Sequence, residues 1–231
     1  MVACFLFLCY HGVGLGGGWM VKTPIVKEGY IYIAILACLT ACVAIVMDSY
    51  WSIIPGVLLA FVTFFFRNPN RKIPGDDRYV MSPADGTVMS VCDIYDEEFL
   101  LDEAIKVSIF LSVFDVHVNR SPIAGEITYQ QYTCGRFRPA YKAAAGCENE
   151  RHSLGIENDH MKILVTQIAG ILARRIVSWV TLGNVLAQDQ RYGMIKFGSC
   201  TEVVMPKSIE VLVKKGDKVR GGETIIGRIQ E

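Results

Sequence analysis

Residues 105–111 read Ile-Lys-Val-Ser-Ile-Phe-Leu, with apolar and polar side chains alternating over the first five positions. This two-residue period is typical of a strand with one buried face. Comparable runs occupy residues 86–91, 163–168 and 209–213, and turn-forming residues separate them. Short strands at this spacing predict a mainly β protein, built as a compact antiparallel β-sandwich or barrel.

The stretches between these runs are less decisive. Residues 171–177 fit a short helix or a strand, and residues 137–152, rich in alanine and charge, fit a loop or a short helix. Residues 213–227 have a sequence pattern similar to that of the hairpins in lipoyl and biotinyl carrier domains, and residues 83–88 show a weaker form of the same pattern. No lysine stands at a tight turn between small strands, so we interpret this lipoyl-like hairpin as scaffold rather than as a prosthetic arm.

Upstream of the β region, residues 30–47 form an uninterrupted apolar run. As a helix this run would be about 27 Å long, close to the hydrocarbon thickness of a bilayer. A second apolar run covers residues 51–66, and Asp48 is the only charged residue between positions 30 and 66. We predict a membrane helical hairpin over residues 30–66, spanning or re-entrant. The alternative is a buried helical hairpin of a soluble protein.

Basic residues lie outside both ends of this hairpin, at Lys22, Lys27, Arg67, Arg71 and Lys72. Positive flanks favour the cytoplasm, so we predict that the β domain at residues 67–231 lies on the cytoplasmic side of the cell membrane. Residues 1–29 precede the hairpin. The first 19 of them lack the basic start of a signal peptide, and we expect Met20 rather than Met1 to be the native start.

Composition argues against two classes of function. The 23 basic and 23 acidic residues give no net charge, whereas nucleic-acid binding calls for a basic excess. The eight cysteines show no paired zinc-type spacing, so no metal site is predicted. We expect a reducing compartment and no structural disulfides.

Three segments carry reactive side chains. They are Phe197-Gly198-Ser199-Cys200, the run from Phe114 to Pro122 that contains His117, and Ser82-Pro83-Ala84-Asp85-Gly86. Taken singly, each has an ordinary explanation: Gly-Ser and Asp-Gly pairs are common in turns, and a lone histidine is usually a core or surface residue.

Taken together and in order, these segments resemble the short form of the phosphatidylserine decarboxylase family, over residues 64–227. Further matching segments are Phe66-Arg67-Asn68-Pro69, Gly135 with Phe137-Arg138-Pro139-Ala140, Glu148-Asn149-Glu150-Arg151, Gln167-Ile168-Ala169-Gly170, Ala173-Arg174-Arg175-Ile176 and Arg191-Tyr192-Gly193-Met194-Ile195-Lys196. Each is weak alone, but so many in the family's order are specific.

The resemblance implies a proenzyme that cuts itself between Gly198 and Ser199, giving chains of residues 1–198 (β) and 199–231 (α). Ser199 would become a pyruvoyl group, the covalent cofactor for decarboxylation of phosphatidylserine to phosphatidylethanolamine. In the expected mechanism His117 is the base that activates the Ser199 hydroxyl, and Asp85 fixes the tautomer of His117. If residues 113–118 form a strand, Asp115 points to its other face and takes no part.

Two positions depart from the family pattern. Cys200 follows the serine, where relatives commonly have serine, threonine or arginine, and could place a thiol near the new carbonyl. Arg120 stands where long-form relatives have a second histidine, so the role of that histidine is not carried over.

Recognition of the headgroup requires cations for its phosphate and carboxylate. The candidates are Arg120, Arg138 and Arg174, with Arg136, Arg151 and Arg175 behind them. The expected partners are a membrane phospholipid, with ester or ether tails, and the two chains of the precursor. A homodimer is reasonable because cleavage leaves strand edges.

Two other functions remain open from the sequence. A pyruvoyl-dependent decarboxylase of a soluble amino acid would share the same processing, but its substrate gives no reason for a membrane anchor. A non-catalytic, membrane-tethered carrier-like β domain would remain one intact chain.

Overall fold

The structure is a computed structural model, and it describes residues 23–47, 49–72, 74–135, 149–170, 175–196 and 199–230. The expectation for residues 1–19 lies outside these ranges, as does most of the loop or short helix expected at 137–152; the described end of that stretch instead enters the strand Arg151–Glu157. What the described residues form is a pair of apolar helices followed by a β domain.

The two helices are α1, Lys27–Val46, and α2, Ile53–Phe65, with a 3-10 turn at Ser49–Ser52 before α2. Helix α1 has 20 residues and is the one described helix long and apolar enough to cross a membrane. Its apolar side chains are largely exposed, as are those of α2. A surface of this kind is expected against lipid rather than water, so the hairpin predicted from the sequence is present and suits membrane association.

Both ends of the hairpin are fixed at one place on the β domain, which we call the hairpin root. The Val26 N–H donates to the Phe66 carbonyl over 3.0 Å, and the Asn68 N–H donates to the Pro24 carbonyl over 2.7 Å. The root is buried in an apolar cluster of Val26, Val62, Phe65, Phe66, Val116, Val118 and Met194. The helices are therefore packed onto the β domain, and do not hang from it by a linker.

Fourteen strands make up the described β domain. They are β1 Tyr79–Met81, β2 Gly86–Tyr95, β3 Glu103–Leu111, β4 Val118–Arg120, β5 Gly125–Thr133, β6 Arg151–Glu157, β7 Lys162–Ala169, β8 Ile176–Ser178, β9 Val185–Leu186, β10 Arg191–Ile195, β11 Ser199–Pro206, β12 Ile209–Val211, β13 Lys218–Val219 and β14 Ile225–Ile229.

These strands pair into one large sheet and two small ones, and all the pairings are antiparallel. The large sheet runs β13-β2-β3-β11-β7-β6-β5-β9, and the small sheets run β1-β14-β12 and β4-β10-β8. The main core combines aliphatic side chains of the large sheet with others from the small sheets, such as Tyr192 of β10 and Ile226 of β14.

The mainly β, antiparallel fold class is confirmed, and so is each of the four strands used to predict it. The C-terminal stretch differs in one detail, because its two strands do not pair with each other. Strand β13 pairs with β2, whereas β14 lies between β1 and β12. Of the stretch predicted as helix or strand, the described end is strand β8.

Candidate active site

Ser199 is the first residue of β11, which lies in the large sheet between β3 and β7. Its register partners are Leu111 and Ala169. The residue is fully buried, and its hydroxyl oxygen has no hydrogen-bond partner among the described residues. Buried hydroxyls are normally hydrogen-bonded, and leaving one unpaired costs about 1–3 kcal/mol. An unpaired buried hydroxyl therefore requires an explanation other than stability.

His117 ends a turn rather than lying within a strand, since strand β4 begins only at Val118. The turn is closed twice: the Ser112 N–H donates to Asp115 Oδ2 over 2.8 Å, and the Asp115 N–H donates to the Ser112 carbonyl over 2.9 Å. It leaves the Asp115 carbonyl oxygen 3.0 Å from His117 Nδ1. Because a carbonyl only accepts, Nδ1 carries the proton and Nε2 carries the lone pair.

The surroundings of His117 keep it uncharged. Its ring packs on that of Phe65, the last residue of α2, with centroids 4.3 Å apart. Burial is the main reason that the pKa of His117 is lowered from 6.5 to about 4; the hydrogen bond to the Asp115 carbonyl opposes this shift, and the positive charge of Arg67 adds to it. A neutral imidazole at neutral pH is the form that accepts a proton.

Ser199 and His117 are brought together by the strands that follow them. Two residues beyond each, Asn119 Nδ2 donates to Thr201 Oγ1 over 3.1 Å. Side chains two apart along a strand share a face, so Ser199 lies beside the segment that carries His117. A second link agrees with this, since the Ile195 N–H donates to the His117 carbonyl over 3.3 Å and Ile195 packs against Ala169, the register partner of Ser199.

Asp85 is hydrogen-bonded to groups other than His117, and the role expected for it in fixing the His117 tautomer stays a prediction. Its carboxylate accepts two hydrogen bonds from Arg71, at 2.7 and 2.8 Å, and one from the Gly221 N–H at 2.8 Å. A two-pronged Arg-carboxylate pair is a strong and directional contact. Among the described residues Asp85 therefore fixes the loop before β2 to the turn before β14. The group of Asp115 that contacts the imidazole is its backbone carbonyl and not the side chain that the sequence analysis set aside.

Arg120 is also placed differently from the expectation that it meets a headgroup. Its guanidinium is buried and donates to Asp189 over 2.9 Å and to the Pro69 carbonyl over 2.9 Å. Burial lowers the pKa of Arg120, and its charge is offset by the paired carboxylate. Of the other candidates, Gly198, Arg138 and Arg174 lie outside the described residues, as does Arg136. Arg151 pairs with Glu98 over 2.9 Å, and Arg175 is exposed.

The thiol of Cys200 faces away from Ser199. It packs with Ile168, Met89 and Phe110, on the opposite face of the sheet from Thr201 and Val203. Burial raises the pKa of the Cys200 thiol well above its usual value. The neighbouring thiol that the sequence suggested would not meet a carbonyl formed at Ser199.

Three features of the site escaped the sequence analysis. They are the Asp115 carbonyl, the Phe65 ring against His117, and Lys196, whose ammonium lies 5.4 Å from the centre of the Tyr32 ring of α1. The last two depend on how the hairpin root docks, for which the sequence holds no periodic signal. Within the described ranges no cluster of three or more His, Cys, Asp or Glu side chains could hold a metal ion.

Comparison with known proteins bears on the same residues. The family model described as phosphatidylserine decarboxylase matches residues 58–227. A phosphatidylserine decarboxylase proenzyme of Carboxydothermus hydrogenoformans is 48% identical over 213 residues, which cover 90% of this chain and 99% of that protein. One from Symbiobacterium thermophilum is 46% identical, covering 91% and 98%, and one from Geotalea uraniireducens is 43% identical, covering 89% and 97%.

Proposed function

The chain belongs to the phosphatidylserine decarboxylase family, and on this premise we propose that it converts phosphatidylserine to phosphatidylethanolamine and carbon dioxide through a pyruvoyl group made from its own Ser199. The observation that carries the proposal is the buried Ser199 hydroxyl, which bonds to no other described group. A hydroxyl that gives up a hydrogen bond in the interior is expected where its oxygen is to react.

The first step is cleavage of the chain at residues 198 and 199. His117 Nε2 takes the Ser199 hydroxyl proton, Oγ bonds to the Gly198 carbonyl carbon, and the carbon–nitrogen bond breaks as the proton passes to the Ser199 nitrogen. The ester so formed then undergoes β-elimination, which frees residues 1–198 as a carboxylate and leaves dehydroalanine. Water converts that residue to a pyruvoyl group and ammonia. The Asp115 carbonyl holds the proton on Nδ1, so in the neutral ring Nε2 is the nitrogen with the lone pair that accepts a proton.

The residues present fit such a group, because Ser199 is buried and lies beside the segment that carries the neutral His117. A pyruvoyl group supplies a carbonyl that takes up the electrons released as carbon dioxide leaves the substrate. The chain's own contribution to that reaction is to exclude water around Ser199 and to return a proton through His117. Neither role requires a metal ion.

The hairpin root supports a lipid substrate. Phe65, at the end of the membrane hairpin, is in ring contact with His117, so the base lies where the chain leaves the bilayer. A substrate embedded in the same bilayer reaches this place by lateral diffusion, at a high effective concentration. This contact favours a lipid over a soluble amino acid. Together with the basic flanks it supports a site on the cytoplasmic face of the membrane.

For the headgroup we propose Lys196 and Arg175 in place of Arg120. They adjoin each other, since the Lys196 N–H donates to the Arg175 carbonyl over 3.3 Å. Arg175 is exposed, and the Lys196 ammonium lies near Tyr32 at the level of the hairpin root. A phosphate and a carboxylate at the membrane surface would meet positive charge there. Arg138 and Arg174 stay predictions from the sequence.

The test is an intact mass spectrum of the purified full chain. Self-processing predicts two pieces of 198 and 33 residues, the smaller lighter than its encoded mass by one ammonia. We expect Ser199→Ala to stay whole. The matched control is Ser208→Ala, an exposed serine of the same small piece, which should cleave as the wild type does. An intact wild-type chain would contradict the proposal.

A product assay separates the lipid substrate from the soluble one. Processed protein in detergent or vesicles should release carbon dioxide from phosphatidylserine and leave free serine unchanged. Release from free serine at a similar rate would instead favour a decarboxylase of soluble amino acids.

A further inference from the structure

An aromatic ring of the β domain lies exposed beside the hairpin root. Strand β3 ends at Leu111, and the turn that follows it carries Phe114, with 65% of its surface exposed. A single exposed apolar side chain is common on soluble proteins and needs no explanation. Phe114 differs because its turn is tied to the end of the membrane hairpin. We call residues 112–115 the Phe114 turn.

One guanidinium group joins the Phe114 turn to the last turn of α2. Arg67 Nη2 donates to the Phe114 carbonyl over 2.6 Å, and Arg67 Nη1 donates to the Phe64 carbonyl over 2.9 Å. Both carbonyls bind the same small planar group, so the backbone of Phe114 lies close to that of Phe64. The two residues therefore share one level at the hairpin root.

The end of α2 marks the level at which the hairpin would leave a bilayer. Phe64 has 44% of its surface exposed, and exposed apolar side chains along the hairpin suit contact with lipid. Arg67 is the first charged residue after the hairpin, and its guanidinium carbon lies 3.8 Å from the centre of the Phe64 ring. An arginine lying on an aromatic ring at the end of an apolar helix is typical of the membrane–water interface. The Phe114 turn would then lie at the same depth.

A second cation lies near an aromatic ring at the other helix. The Lys196 ammonium is 5.4 Å from the centre of the Tyr32 ring of α1, and 45% of the surface of Tyr32 is exposed. Exposed aromatic rings beside cations match the boundary of a phospholipid bilayer, where phosphates lie above apolar tails. The partner that fits this surface is therefore a bilayer.

The Phe114 turn is held by its own hydrogen bonds. The Ser112 N–H donates to the Asp115 carboxylate, the Asp115 N–H donates to the Ser112 carbonyl, and the Phe114 N–H donates to Ser112 Oγ over 3.4 Å. A ring on a closed turn loses little backbone freedom when it enters lipid. Its burial there is therefore offset by only a small loss of entropy.

The same turn also holds the imidazole of His117. The Asp115 carbonyl, which follows Phe114 in the chain, lies 3.0 Å from His117 Nδ1, and the His117 ring packs on Phe65 of α2. The turn and the helix thus contact His117 from two elements, and Arg67 joins those elements to each other. A bilayer that meets both elements would also set the depth of His117.

We propose that the Phe114 turn is a second membrane-contacting element, whose aromatic ring enters a phospholipid bilayer beside the hairpin root and sets the height of His117 at the lipid headgroups. This inference rests on the membrane association in the proposed function, and it adds a contact made by the β domain itself. Two separate contacts hold the β domain against tilting about the hairpin. The base then stays level with the headgroups of lipids that diffuse in the bilayer.

Photocrosslinking to lipid tests the contact directly. The variant is Phe114→p-benzoylphenylalanine, a photoreactive residue that keeps an aromatic ring, in the full chain in nanodiscs of phosphatidylcholine and phosphatidylglycerol. On illumination we expect the chain to gain the mass of one phospholipid. The same substitution in a Ser199→Ala chain should give the same product, because the contact requires neither cleavage nor activity.

Two matched positions serve as controls for the crosslink. Tyr95 is 61% exposed, but it pairs with Glu103 at the far end of β3. Over the length of that strand this is roughly 27 Å from the Phe114 turn. The photoreactive residue should gain no lipid at Tyr95 and should gain lipid at Phe64, in the hairpin.

The crosslinking outcomes separate the two proposals. Lipid at Phe64 and none at Phe114 would overturn the further inference and leave the proposed function intact. A lack of lipid at both positions would count against membrane association, and so against both proposals. A crosslink from Phe114 to a second copy of the chain would replace the bilayer with an interface between copies.

Activity measures the consequence for His117. We expect Phe114→Ser to slow decarboxylation of phosphatidylserine in nanodiscs about tenfold, the lower end of what burial of a phenylalanine ring contributes. The loss should be smaller with short-chain phosphatidylserine dispersed as monomers, because height above a bilayer then has no effect. Tyr95→Ser should match the wild type on both substrates. An equal loss on the two substrates, or no loss in nanodiscs, would overturn the proposed link between the bilayer and His117.

Discussion

His117 is under opposing influences. Burial and the nearby positive charge of Arg67 lower its pKa, to about 4, while the hydrogen bond to the Asp115 carbonyl works in the opposite direction. The pKa in the folded state thus lies below the value of 6.5 expected in an unfolded chain. The stability gained from a neutral His117 is therefore complete above about pH 6.5 and is lost as the pH falls through about 4.

The same shift gives the pH dependence of self-cleavage. Since only neutral His117 accepts the Ser199 proton, we expect the cleavage rate to hold from neutral pH down to about 5 and to fall with a midpoint near 4. A pulse-chase of the full chain across this range measures it, with circular dichroism to confirm the fold at each pH. A midpoint near 6.5 would mean that the base is solvated, or is not His117.

For single residues, the sequence was a better guide to the reacting side chains than to the groups that hold those side chains in place. Ser199 and His117 come from motifs that are local in the chain, and the structure places them on adjoining segments. Asp85 also came from a local motif and Arg120 from its residue type, and in the structure their charges are paired with those of Arg71 and Asp189 in turn. A backbone carbonyl is brought to its partner by the fold, so the residue types in the sequence do not reveal that contact.

Among the elements, α1 packs tightly at Gly29 against Phe66, the residue that follows α2. A Cβ on this residue would lie 2.6 Å from the Phe66 Cβ, nearer than packed atoms approach. Phe66 stacks on Tyr32 of α1 and makes an edge contact with Phe65, which in turn contacts His117. A change at Gly29 is therefore transmitted toward the catalytic base.

We expect Gly29→Ala to separate α1 from Phe66, destabilise the hairpin root by about 1–3 kcal/mol and slow self-cleavage. The measurements are thermal unfolding in detergent and the rate of cleavage. The matched control is Gly56→Ala in α2, where a Cβ would have only an ordinary contact, 3.9 Å from Thr40. That variant should be unchanged or up to about 1 kcal/mol more stable, because alanine favours helix. Equal effects of the two substitutions would refute a tight root.

The positions of helices and strands were predicted well from the spacing of apolar residues, and poorly where turn-forming side chains decide the structure. The long strands β2, β3 and β7 and both helices were predicted from uninterrupted or alternating apolar runs. The segment at 113–118 was considered as a possible strand, yet the Asp115 side chain closes a turn on Ser112 and the strand begins only at Val118. For β13, with two residues, the partner was decided by contacts with β2, which no local pattern could reveal.

In the molecule as a whole, the proposed small chain, residues 199–231, is built into the centre of the fold. It supplies β11, between β3 and β7 in the large sheet, and β14, between β1 and β12. Val203, Met205 and Ile226 of this segment are fully buried in the main core. Each such side chain contributes about 1.5–3 kcal/mol of burial, so cleavage should leave the two chains associated.

We therefore expect the 198- and 33-residue chains to co-elute on size-exclusion chromatography in detergent and to separate only in concentrated guanidinium chloride. Mass spectrometry of the eluted peak gives their ratio. Loss of the small chain during purification would show that the sheet does not hold it. The same column reports on the homodimer, which stays a prediction.

The position of Ser199 between strands β3 and β7 has a consequence for the life of the molecule. Its neighbours Leu111 and Ala169 are contributed by distant parts of the chain, so the reactive pocket cannot exist until the large sheet has assembled. Self-cleavage would then depend on correct folding, since a misassembled copy never gains the pyruvoyl carbonyl. The broken peptide bond in each active molecule would therefore show that this molecule had folded correctly before it was cleaved.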